Sequence, residues 1–437
     1  MNEFSSVDLS LDRRDGELSL TDDGALIRRS IIPGGIRVLT ESVPHTHTVA
    51  IGMWVGTGSC DEAEDTLGST HFLEHLLFKG TKRRSARDIA EKMDYLGGNI
   101  NAGTDKQFTY YYGHVMRDDL ADMVDLLGDM ITSSSLDEEE MERERSVILE
   151  ELAMYADDAP EVAYEKIAAS VFGPHPLGRP IGGTRASVSG LAHESLLAHY
   201  QANYRPNELV VTAAGCVDHE ELCSLVVEAV RRGGWTCEDG AEPAERRFRG
   251  GISYEAREAS VEMAVEQAAV VVGMPAMTSD DERRYSLHAL TTILGGGVSS
   301  RLFGEIRDRR GLAYTTYAYP SLYREGGLFL MYAGCSPKDA STVVSLMEEC
   351  LEDVTKGVSD AEIESAYRRV RSDMAFGSES VTARMTKLGD AELLRGRLLS
   401  RSQRLRRARA VTGQDIAEVA AELASAARSR VVVGPAM

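Results

Sequence analysis

The order of elements in the first half of this chain recurs in the second. Thr109 to Ile131, TYYYGHVMRDDLADMVDLLGDMI, reads as an aromatic-containing strand, a polar turn and an amphipathic helix. Phe329 to Leu351, FLMYAGCSPKDASTVVSLMEECL, repeats that order. Val49–Val55 and Ala268–Gly273 are apolar strands, each followed by an acidic turn and a helix, and the halves close on strands at Leu209–Ala214 and Arg430–Val433. Recurrence in fixed order implies two copies of one α+β unit. Between them, Gly233 to Gly251 (GGWTCEDGAEPAERRFRGG) lacks apolar periodicity and reads as a linker. The expected division is a flexible polar lead-in over 1–30, a first domain over 31–232, a linker over 233–251 and a second domain over 252–437.

Bulk properties narrow the function. A chain of 437 residues exceeds one ordinary core, and 43% hydrophobic with 27% charged residues is the composition of a globular protein. A formal charge of -21 excludes a nucleic-acid binder, whose footprint would be basic, and disfavours anionic membranes. Acidic charge lining a cavity would attract basic peptides, whereas acids spread over the outside only solvate it. The N-terminal MNEFSSVDLSLDRRDGELSLTDDG has no apolar signal core and too many acids for a mitochondrial presequence. No window offers the ~20 apolar residues of a membrane span. Six cysteines, far apart and without CxxC pairing, read as buried or free thiols of a reducing compartment. The expected location is cytoplasmic, with neither membrane nor nucleic acid as partner.

The first-half pattern predicts a helix over Ser69–Phe78, and Ser85 with Asp88 forms a capping box for a helix that runs to Leu96 and stops at Gly97-Gly98. Strands follow near Asn99–Thr104 and Phe108–Val115, then helices over Asp118–Ile131, Asp137–Tyr155, Pro160–Phe172, Glu194–Asn203 and Glu220–Arg231. The helix at Ser69 carries His71-Phe72-Leu73-Glu74-His75. Residues i and i+4 share a helical face, so both histidines can grip one ion, and Glu74 leans over the same face. A carboxylate there can take a proton from a metal-bound water. Taken alone, the pattern also suits an amphipathic helix with surface or capped histidines. A catalytic zinc needs a third protein ligand, however, and EEEMERERSVILEE (Glu138 to Glu151) supplies candidates. Glu144 and Glu151, seven apart, lie on one face, with Val147 and Ile148 expected to turn toward a core, while Glu150 points elsewhere.

With these residues in view, the chain resembles a known family. THFLEHLLFKGT (Thr70 to Thr81), GGNINAGTDKQFTYY (Gly97 to Tyr111) and ERSVILEEL (Glu144 to Leu152) are similar to the pitrilysin or insulinase family of zinc peptidases, whose inverted HxxEH motif marks the inverzincins. The look is closest to its bacterial processing-peptidase-like members. The resemblance runs from about Ile31 to Val433. It implies one zinc ion per chain on His71, His75 and Glu151, Glu74 as general base, and Glu144 supporting the site from outside. It also implies two homologous α/β roll domains, antiparallel-rich sheets flanked by helices, forming half of a clamshell chamber, with the zinc in the first.

The second half has no such motif. Gly295-Gly296-Gly297 lacks the Lys-Ser or Lys-Thr of a phosphate loop and reads as a turn between packed helices. Arg307 and Tyr314, with six residues between them, match an Arg–Tyr pair that contacts substrate in catalytically complete relatives. A phenol and a guanidinium suit the carbonyl and developing oxyanion of a peptide, though a surface arginine and a strand tyrosine would look the same. Asn101 and Ala102 lie in a segment resembling the strand edge on which the family lays substrate. The expectation is a zinc metalloendopeptidase acting on peptides, basic ones included, or on unfolded segments. The alternative is a non-catalytic structural subunit of the same family. A homodimer is the expected assembly, with an inactive partner subunit as the other arrangement.

Overall fold

Apolar runs such as Val49-Ala50-Ile51-Gly52-Met53-Trp54-Val55 have no polar face, so a strand made from them must be covered on both sides. In the computed structural model, which describes residues 6–12, 18–22 and 24–435, that strand is buried from Val49 to Val55. The first half comprises β1 (Ser6–Asp8), β2 (Leu18–Asp22), β3 (Ala25–Ile32), β4 (Ile36–Ser42), β5 (Thr48–Val55), α1 (Ser69–Leu76), α2 (Ala86–Leu96), β6 (Asn99–Thr104), β7 (Thr109–Met116), α3 (Leu120–Ser133), α4 (Glu138–Ala156), α5 (Ala159–Phe172), α6 (Arg185–Gly190), α7 (His193–Asn203), β8 (Leu209–Gly215) and α8 (His219–Arg232). The second comprises β9 (Glu258–Glu262), β10 (Ala268–Ala276), α9 (Arg284–Gly295), β11 (Ala313–Leu322), β12 (Gly327–Cys335), α10 (Ala340–Thr355), α11 (Asp360–Glu379), α12 (Val381–Asp390), β13 (Arg397–Leu399), α13 (Arg401–Ala410), α14 (Gly413–Ser425) and β14 (Ser429–Gly434).

The recurrence read from the sequence is a recurrence of topology. One sheet has the order β2-β3-β4-β8-β5-β7-β6 and the other β11-β12-β10-β14-β9. Strand for strand, β4, β8, β5, β7 and β6 correspond to β9, β14, β10, β12 and β11. In each sheet one pair is parallel, β4 with β8 and β9 with β14, and the remaining pairs of the shared core are antiparallel. The fold is therefore α+β in two units, as expected.

The expected lead-in over 1–30 is corrected. Among its described residues, β2 and β3 extend the first sheet and β1 pairs with β13, while 1–5, 13–17 and 23 lie outside the described residues. Acidic residues hide an alternation, Leu18-Leu20 and Ala25-Ile27, whose apolar members face the core.

The compact units do not follow the sequential division at 233–251. One comprises Met1–Leu152, Pro180–Arg247 and Ala375–Gln403, the other Ala153–Arg179, Phe248–Met374 and Arg404–Met437. Each half lends the other a helix: α5 packs on β10 and β14, and α12 packs on β8, β5 and β4. The α12 interface is close, since a Cβ on Gly389 would lie 2.5 Å from the Trp54 ring. Met385 and Leu388 join Trp54, Phe108 and Val210 in one apolar cluster. Buried charge holds the following turn, where Glu392 is fully buried and takes Arg29 Nε at 3.0 Å and Arg246 Nη2 at 2.9 Å. Arg37 stands 3.6 Å from the same carboxylate, and burial lowers its pKa. Arg384 pairs with Glu41 and Lys387 with Asp22.

Among the described residues no helix is long and apolar enough to cross a membrane, and all six cysteines are free.

Candidate metal centre

Helix α1 is short, and its buried residues Ser69, Thr70, Phe72, Leu73 and Leu76 dock one face on the core. His71, Glu74 and His75 are thereby left half-buried on the other face. Its N-cap, Gly68, has φ 91° and no side chain to cap the helix. Glu62 does that work: Oε2 accepts from Gly68 N at 2.8 Å and Oε1 from Thr70 N at 2.7 Å. Burial pushes the Glu62 carboxyl up to about 7, against the pull of those bonds. Thr70 Oγ1 also meets His199 Nε2 at 3.1 Å, and burial holds that imidazole down at about 4.

The histidine rings stand 4.8 Å apart. Glu151 Oε2 lies 3.4 Å from His75 Nε2 and 3.8 Å from His71 Nε2. One ligand atom from each residue falls within 4.8 Å of the others, the only such His/Cys/Asp/Glu group among the described residues. Two imidazole nitrogens and a carboxylate oxygen are the donor set of a three-ligand zinc site with an open position. His71 fits that role further, because burial first, and the neighbouring His75 second, lower its pKa and favour the neutral, ligating form.

Glu144 is 5% exposed and sits 3.3 Å from His75 Nδ1, with Lys79 Nζ at 2.7 Å on its other oxygen. A hydrogen on Nδ1 then donates to Glu144 and leaves Nε2 its lone pair. Nδ1 of His71 is buried without a hydrogen-bond partner among the described residues. On α4, Met141, Glu144 and Ile148 face inward and Glu150 is exposed. The expected inward turn of Val147 is corrected: it is 51% exposed. At ~100° per residue it lies a quarter-turn or more around the helix from Ile148.

Glu74 Oε2 accepts from Thr104 Oγ1 at 2.6 Å. Thr104 ends β6, the terminal strand of its sheet, which among the described residues pairs with β7 alone. Asn101 on that strand is exposed and Ala102 half-buried. Arg307 and Tyr314 belong to the other unit, where they meet each other. Arg307, in a π-helical segment over Phe303–Asp308, stacks its guanidinium 4.4 Å from the Tyr314 ring and 4.6 Å from Phe303, and donates to Tyr314 O at 3.1 Å. Tyr314, on β11, is 73% exposed.

Sequence reading passed over Glu62, Lys79, Thr104 and His199. Lys79 alone carried a signal, one turn beyond His75 on the line of the ligand face.

Comparison with known proteins places these residues in a family context. The model described as "Insulinase (Peptidase family M16)" matches residues 37–185, and "Peptidase M16 inactive domain" matches 190–370. A Streptomyces coelicolor protein called an uncharacterized zinc protease is 39% identical over 94% of this chain and 90% of its own length. One so called in Mycobacterium tuberculosis is 40% identical over 93% of each. Among solved structures, a protease from Helicobacter pylori superposes with TM-score 0.83 at 20% identity, covering 96% of this chain and 99% of that one. The peptidase M16 inactive domain from Pseudomonas fluorescens also scores 0.83, at 16% identity, covering 94% of this chain and 98% of that one.

Proposed function

The chain belongs to the insulinase family, peptidase family M16, and on that footing we propose that it is a zinc metalloendopeptidase. The observation that carries the reading is the convergence of His71, His75 and Glu151 beside Glu74. Those three residues would hold the ion. Zinc, when bound, supplies a Lewis acid that polarises a peptide carbonyl and acidifies water. Glu74 takes a proton from the attacking water and delivers it to the amide nitrogen as the carbon–nitrogen bond breaks. Glu144 holds the His75 ring in the ligating tautomer. The free edge of β6 at Asn101 and Ala102 adds the substrate as an extra strand, through main-chain bonds that read side chains weakly. Arg307 and Tyr314 donate hydrogen bonds to the substrate carbonyl and its oxyanion. Substrates are peptides or unfolded segments, basic ones included. The chain pairs with itself and works in the cytoplasm.

The test combines zinc analysis with cleavage of a quenched peptide. Glu74→Gln should keep its zinc and lose turnover, Glu151→Gln should lose both, and Glu150→Gln should keep both. A Glu74→Gln protein cleaving at near wild-type rate would sink the mechanism.

A further inference from the structure

We propose that Thr104 is a positioning residue for the general base, tying Glu74 to the strand that receives substrate. The inference rests on the reading of Glu74 given above and extends it to a residue with no metal-ligating or proton-transferring role. Glu74 hangs from α1, and its side chain has three torsions to fix before the carboxylate points in one direction. Packing settles few of them, because Glu74 sits on the half-buried face of the helix. Thr104 Oγ1 donates to Oε2 at 2.6 Å, the length expected of a hydroxyl on a carboxylate.

That bond fixes the plane of the carboxylate and leaves Oε1 to exchange the proton. Its donor is itself firmly placed. Thr104 pairs with Thr109 across β6 and β7, and the turn between these strands closes with Asp105 N donating to Phe108 O at 2.8 Å. Threonine has a restricted χ1 in a strand, so its hydroxyl points one way where a serine hydroxyl would wander. Gly103, just before it, lets the strand lie against Tyr110, since a Cβ there would come within 2.9 Å of that ring. The position matters as much as the bond. Thr104 is two residues beyond Ala102, on the same face of a strand whose other edge carries no strand among the described residues. A peptide added to that edge and the base that acts on it are thus registered by one rigid element.

The experiment compares Thr104→Val, Thr104→Ser and Glu74→Gln in the full-length zinc-loaded protein. It reads kcat and KM on a quenched peptide, zinc content, thermal midpoint, and the affinity of an uncleaved peptide analogue. Thr104→Val should lower kcat about 10- to 100-fold, the worth of one hydrogen bond to a charged group. KM, zinc content, analogue affinity and thermal midpoint should stay near wild type, and Thr104→Ser should recover most of the loss. Wild-type kcat in Thr104→Val beside an inactive Glu74→Gln would overturn the positioning role and leave the base in place. Activity in Glu74→Gln would overturn the base itself. Loss of zinc or a lower midpoint in Thr104→Val, without rescue by serine, would make the residue structural and overturn the proposal.

Discussion

Replacing Glu144 by glutamine tests whether the metal centre depends on its outer support. The carboxylate is 5% exposed and serves two donors at once, His75 Nδ1 at 3.3 Å and Lys79 Nζ at 2.7 Å. An amide has the same shape but one oxygen. Turned toward Lys79, it presents its NH2 to Nδ1, and the ring keeps a hydrogen bond only by moving its own proton to Nε2. That tautomer cannot bind a metal. Turned the other way, the amide preserves the ring and sets a donor against the ammonium of a half-exposed lysine. Either way one charge-assisted bond is lost, about 1.5–3 kcal/mol. The part that falls on the ligating tautomer weakens zinc binding by about 10- to 100-fold, the range typical of outer partners of metal-bound histidines. Competition against a chromophoric chelator measures the Kd, with circular dichroism to confirm the fold. At saturating zinc the turnover number should recover most of its wild-type value. A Kd within twofold of wild type would show that the His75 ring needs no help from Glu144 and refute the reasoning.

Two further outcomes concern stability. Glu392→Ala leaves Arg29, Arg37 and Arg246 facing one another without their carboxylate, and urea unfolding should show a loss of about 3–5 kcal/mol with an unchanged slope; a loss below about 1 kcal/mol would mean that α12 needs no such anchor. Burial holds His199 and His219 down at about 4, so both favour the neutral form in the folded state. Their contribution is complete above the unfolded value near 6.5 and is lost as pH falls through about 4, on the order of 3 kcal/mol each at most. His219 sits between Ser30 Oγ and Thr40 Oγ1 at 2.8 Å each, and His219→Gln, able to serve both hydroxyls without titrating, should flatten the fall in urea midpoint between pH 7 and 4.5. An identical fall in wild type and variant would assign the acid lability elsewhere.

What the sequence makes legible is what period and spacing encode. Helical geometry alone puts His71 and His75 on one face and separates Glu151 from Glu150, and the structure brings the first three together. The capping box at Ser85 and Asp88 and the stop at Gly97 are local and appear as read. Val147 shows the limit of the same argument, since an apolar residue beside two inward carboxylates still lies beyond the buried arc of α4. Thr104 leaves no periodic trace, because it acts on a carboxylate 30 residues away through a single contact, and Glu62 leaves none because it caps α1 from the irregular segment that precedes the helix. The strands before Ile31 were masked by charge. Most instructive is α5, legible as a helix over Pro160–Phe172 while the sheet that receives it, in the other half of the chain, is not. Its counterpart in the exchange, α12, lies in a stretch where the sequence reading places no element. An amphipathic pattern says that a face must be covered and never by what.

That exchange bears on how the chain is made. The face of the first sheet built from Trp54, Phe108, Val210 and Ala214 is finished by Val381, Met385 and Leu388 of α12. Everything else in that unit has been synthesised once Arg247 is added, but its last segment begins at Ala375. At a synthesis rate of roughly 5–20 residues per second, the nascent sheet waits several seconds or more with this aromatic surface uncovered. During that interval the surface is open to chaperones, to neighbouring nascent chains and to proteases. A slowly translated stretch between Arg247 and Ala375 would lengthen the exposure, so the yield of folded protein should depend on the codons of a region that belongs to the other compact unit.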